Sequence, residues 1–216
     1  MISQSAWRRR HVVPAAKEAG LVPDGTKVFR FFGGNGDCAL VEFHPHRIDL
    51  RREVFFARVS IVPAPQRAWA HRQHWDQARD KAPDASEAML HWDLIPPAGV
   101  ALDPTADMPA RGYWAYGPDM DPDVCAGELL AMLREHTFPQ MRRFLDRDVL
   151  NAEMKARSSG FRHRRPPGWA EVLLNVDRVP PAALEATLAG VEMDYPVADE
   201  FIAWARAFPV QEATGR

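Results

Sequence analysis

The chain has 216 residues, 46% of them apolar and 26% charged, with 19 prolines and a formal net charge of −2. That length suits one domain or one domain with an appended subdomain, and the mildly acidic balance gives no general reason to expect nucleic acid as a partner. No apolar run approaches the roughly 18 residues that span a bilayer, and the N-terminus lacks the apolar stretch of a signal peptide, so no membrane partner and a cytoplasmic location are expected.

In chain order, residues 14–19 predict a short helix, with Pro14 in its first turn and Gly20 ending it. "TKVFRFF" then supplies Val28, Phe29, Phe31 and Phe32, which suit a pleated surface. After "GGNGD" come "CALVEF" and "EVFFARVSIV", and the latter alternates with period two. Three successive strands with short connections imply an antiparallel meander. "QRAWAHRQHWDQARDK" is moderately helical, and residues 93–123 read as a long Pro-, Gly- and Asp-rich connection with a strand at 112–116.

Asp121 caps a predicted helix with Pro122 at its first position and Val124, Leu129, Leu130 and Leu133 facing inward. A second helix opens near Thr137 and Pro139. "WAEVLLNV", "PAALEATLAG" and "PVADEFIAWARAF" read as shorter helices. The predicted class is α+β: an antiparallel sheet of three or more strands packed with helices, then a helical C-terminal region. The expected parts are an α+β domain at 1–150 and a helical extension at 151–216 packed on it.

Gly34-Asn35-Gly36-Asp37-Cys38-Ala39 matches the dinucleotide fingerprint G-x-G-x-x-[GA]. A cofactor loop must lead into a helix whose N-terminus holds the pyrophosphate, whereas Pro45 and a strand-like run follow here. The stretch therefore reads as a hairpin turn, and no cofactor is expected. Cys38 and Cys125 read as buried thiols. "DMDPD" at 119–123 imitates a calcium loop but has Val124 and Leu130 where Gly and Glu are required. "RRR" at 8–10 and "FRHRRPP" at 161–167 read as solvated basic patches, because arginine is the default cation of a chain with only four lysines.

The histidines read as surface or partly buried side chains and no metal is assigned; the i,i+2 and i,i+3 spacings of His44, His46, His71 and His74 offer the alternative, a metal set. No nucleophile elbow or paired acid–base carboxylates are recognisable, so no catalytic residue is assigned.

Three stretches, "AGLVPDGTKVFRF", "FFARVSIV" and "RGYWAYGPDMDPDVCAGELLAMLREHTFPQMRRFL", together resemble the bacterial domain family of unknown function number 4304 over about residues 10–150. The extended segment at 93–123 departs from that family's pattern. The resemblance implies an α+β fold and a bacterial source, and it carries over no site residue.

The expected function is a non-enzymatic protein-interaction module of the immunity or accessory kind. Trp69, Trp75, Trp92, Tyr113, Trp114 and Tyr116 are its contact candidates, since aromatics dominate interface hot spots. The alternative is an enzyme or small-molecule binder with a pocket between sheet and helices that uses the histidines. A third possibility is nucleic-acid binding through Arg162, Arg164 and Arg165.

Overall fold

The computed structural model describes residues 2–47, 49, 51–72, 82–102 and 112–208. Its strands are β1 (Val22–Asp24), β2 (Val28–Phe32), β3 (Cys38–His46), β4 (Glu53–Val62), β5 (Leu90–Asp93), β6 (Trp114–Tyr116) and β7 (Arg162–His163). They pair in the order β1-β2-β3-β4-β5-β7, with β6 also on β4. The expected meander is thus β2-β3-β4, within an antiparallel sheet of an α+β fold. Register is set by pairs such as Val22↔Arg30 and Phe55↔Trp114.

The chain divides into two compact units. The first comprises Met1–Phe32, Ala39–Ser60 and His91–Arg143; the second comprises Gly33–Cys38, Ile61–Leu90 and Phe144–Arg216. The strand-rich middle of the chain contributes segments to both.

In the first unit, helix α1 runs Gln4–Glu18, capped by the Ser3 side chain, so Pro14 lies inside it rather than opening it. Its buried stripe is Gln4, Trp7, Arg8, Val12 and Ala15, a helical spacing obscured in sequence by two polar members. Arg8 of the "RRR" run is therefore core and not a solvated cation: only 2% is exposed. Pro14 is exposed and has no N–H to bond the carbonyl four residues back.

Helix α3 (Pro122–Met132) continues through a wide π-type turn (Leu133–Thr137) into α4 (Phe138–Phe144). Pro139 has no N–H and its ring would clash with a carbonyl four residues back, and widening the turn relieves that. Thr137 Oγ1 donates to the Met132 carbonyl at 3.2 Å, a side-chain bond within the turn. Val124, expected to face inward, is 54% exposed, while Leu129 and Leu133 are buried.

The second unit contains α2 (Ala64–Ala70), α5 (Arg147–Ala156), α6 (Pro167–Asn175), α7 (Pro181–Leu188) and α8 (Ala198–Ala207). Trp69, Trp169 and Phe201 form its aromatic centre, with Trp169 and Phe201 stacked at 4.2 Å.

Candidate functional site

The aromatic contact candidates are core residues. Trp69, Trp92, Tyr113, Trp114 and Tyr116 are all buried, so they cannot supply an open contact surface; Trp75 lies outside the described residues. In the first unit Trp7 stacks on Tyr116 at 5.0 Å and packs on Phe55 at 5.4 Å. The indole of Trp7 donates to the Pro122 carbonyl at 2.9 Å, and that of Trp114 to the Leu94 carbonyl at 2.8 Å. A buried indole is tolerated when its N–H finds such an acceptor. Burial, then the nearby Glu53 carboxylate, raise the Tyr116 phenol above its ordinary value. Cys38 and Cys125 are buried as expected, and burial pushes the Cys125 thiol up to about 12.

The described histidines of this set belong to different units. β3 continues through Pro45, so His44 and His46 share a sheet face in the first unit. His44 stacks on Phe56 at 4.4 Å with its Nε2 3.4 Å from Glu42, and His46 meets Tyr113 edge-on at 4.9 Å. His71 belongs to the second unit, where it bonds the buried Glu87 carboxylate that also accepts from Arg67 Nε at 3.1 Å. His74 lies outside the described residues. Among the described residues no group of three or more His, Cys, Asp or Glu side chains is arranged to hold a metal ion.

The glycine loop is the turn between β2 and β3. The Gly36 N–H bonds the Gly33 carbonyl at 3.1 Å, the Gly33 N–H bonds the Asp37 carbonyl at 2.8 Å, and Gly36 has φ +80°. A left-handed residue after a tight turn is the position glycine fills without steric cost. No helix follows; β3 starts at Cys38.

What the fold does build is a groove in the first unit. Its floor and walls are Ile95, Pro96 and Pro97 from the loop after β5, and Glu128, Ala131, Met132, Glu135 and His136 from α3 and the π-type turn; it encloses about 320 Å³. Ile95 is 57% exposed at its edge. The side chains of Glu128 and Glu135 have no ion-pair partner among the described residues. An apolar floor between two uncompensated carboxylates can take up a chain that offers an apolar anchor beside positive charge. The loop carrying Ile95 reads in sequence as mere connection, so only the spacing of Glu128, Ala131 and Glu135 on one helix face hinted at this surface.

In the 161–167 run Arg162 and Arg164 are exposed, Arg164 Nη1 donating to the Ala85 and Ser86 carbonyls at 3.3 and 2.9 Å, while Arg165 is half-buried with Nε on Gln66 Oε1 at 3.0 Å.

No protein-family model, no curated protein and no solved structure matches this chain. No helix among the described residues is long and apolar enough to cross a membrane.

Proposed function

We propose that this chain is a bacterial, cytoplasmic protein-interaction module of the immunity or accessory kind, and that its contact surface is the groove beside the π-type turn. The observation that carries this reading is the pairing of the Ile95–Pro97 and Ala131–Met132 apolar surface with the Glu128 and Glu135 carboxylates, which have no ion-pair partner among the described residues. Such a surface favours a partner segment with an apolar side chain flanked by Lys or Arg, because complementary charge steers encounter and sets register while the apolar anchor supplies affinity. Departure from α-geometry next to the groove is in keeping with this, since π-type turns concentrate at functional positions.

The test uses two labelled amphipathic peptides, one of lysine and leucine and one of glutamate and leucine, titrated into the whole protein. The lysine peptide should perturb the Ile95 and Met132 methyl resonances, and Glu128→Lys with Glu135→Lys should weaken it. Perturbation confined to other methyl groups, or equal binding of the glutamate peptide, overturns the assignment.

A further inference from the structure

The second unit holds a cluster of arginines that the described carboxylates pair only in part. Helix α2 presents Gln66 and Trp69 three residues apart, hence on neighbouring positions of one face. Gln66 accepts from Arg165 Nε at 3.0 Å, and the Trp69 ring lies 3.7 Å beneath the Arg72 guanidinium. Arg72 is further fixed by Nη1 on the Trp69 carbonyl at 2.8 Å and Nε on Glu200 at 2.7 Å. Arg164 is held by the Ala85 and Ser86 carbonyls.

Among the described residues, only Arg72 of these three cations has a carboxylate partner. Glu87 is engaged by Arg67 and His71. Arg165 is thus half-buried, anchored through Nε to a neutral amide, with both Nη groups unpaired among the described residues. Burying a guanidinium without a counter-charge is costly, and burial together with the fields of Arg164 and Arg72 lowers the Arg165 pKa. The Tyr195 phenol is also close enough to act on it, and its ring, 46% exposed, packs at 5.5 Å from Trp169.

We propose that Arg165, supported by Arg164 and Arg72, forms a binding site for a small phosphate monoester, with Tyr195 as an aromatic and hydrogen-bonding wall. The fork of two Nη groups matches two oxygens of a phosphoryl group, and a guanidinium already fixed through Nε loses little freedom on binding. This site is independent of the groove and stands or falls separately from it.

Calorimetric titration of the whole protein with inorganic phosphate, phenyl phosphate and chloride, at constant ionic strength, tests the proposal. Saturable binding of both phosphates but not chloride is expected, with phenyl phosphate tighter. Arg165→Gln should weaken both by about tenfold or more, whereas Arg178→Gln should leave them unchanged. In the unmutated protein the Arg165 Nε–H resonance should shift on adding phosphate, which keeps the test valid if the variant misfolds. No saturable binding, or an unmoved Arg165 resonance, overturns the site. Tighter binding of a single-stranded oligonucleotide than of phenyl phosphate, falling steeply with salt, overturns the small-ligand assignment in favour of a polymer.

Discussion

Arg147 grips Asp37 through two parallel hydrogen bonds, Nε to Oδ2 at 2.7 Å and Nη2 to Oδ1 at 2.8 Å, both partners almost wholly buried. The third nitrogen, Nη1, donates to Asp177 Oδ1 at 2.5 Å. Asp37 also accepts from the Ala64 N–H and the Asn35 side-chain amide, each at 2.8 Å. Burial works against the Arg147 charge, but its bonds to Asp37 and the field of both aspartates hold its pKa above the ordinary arginine value. One arginine therefore ties the glycine turn to α5 and to the residues after α6.

Removing that arginine leaves two buried carboxylates without a cation. Arg147→Met should destabilise the protein by about 3–5 kcal/mol, read as a lowered urea midpoint. Asp37→Asn keeps the shape of the turn and should cost less, because Asp177 still faces the guanidinium. A midpoint for Arg147→Met equal to that of the unmutated protein would show that the triad contributes nothing.

Gly168 stands where no side chain fits. A Cβ there would lie 1.9 Å from the Gly190 carbonyl oxygen, which is backbone and cannot rotate aside. The Gly168 N–H also bonds the Glu192 carboxylate at 3.3 Å, and the Trp169 indole bonds the Glu192 carbonyl at 3.2 Å. Gly168→Ala should cost about 1–3 kcal/mol by overpacking, measured by denaturant unfolding. Gly127→Ala, where a Cβ meets nothing within 4 Å, is the control and should be neutral or slightly stabilising.

The buried Cys125 thiol predicts a pH dependence. Its folded pKa is raised from 9.0 to about 12 by burial, so above pH 9 the unfolded chain ionises first and gains free energy. Stability should be unaffected by this group below about pH 8 and should fall by about 1.4 kcal/mol per pH unit above pH 9. Urea unfolding at pH 8 and pH 10 should show the decline, and Cys125→Ser should flatten part of it. The remaining slope includes Tyr116, whose raised pKa acts with the same sign but from a higher pH. Native Cys125 should also resist alkylation at pH 8, since the thiolate is the reactive form.

The groove carboxylates are exposed and have no ion-pair partner among the described residues, so their reversal should not disturb the fold. Glu128→Lys and Glu135→Lys should each change stability by less than about 0.5 kcal/mol in thermal unfolding. A large loss would mean that these residues hold the helix, and would remove them as recognition elements.

Local chemistry was legible in the residues themselves. Gly36 after Gly-Asn predicts a hairpin, and the structure has one, because a left-handed turn residue needs only its own lack of Cβ. Asp121 before Pro122 predicts a helix start, and the Asp121 carboxylate accepts from the Asp123 N–H at 2.8 Å. The period-two run at 53–62 is β4. Burial was another matter. Whether Trp114 and Tyr116 face solvent depends on Trp7 and Phe55, which reach them from distant parts of the chain. Arg8 looked solvated beside Arg9 and Arg10, yet the packed face of α1 put it in the core. The groove and the arginine cluster likewise join segments far apart in sequence, Ile95 with Met132 and Gln66 with Arg165. Turn and cap preferences are properties of a few adjacent residues, and so the sequence alone determined them. Exposure and uncompensated charge are properties of neighbours, which only the tertiary structure could assign.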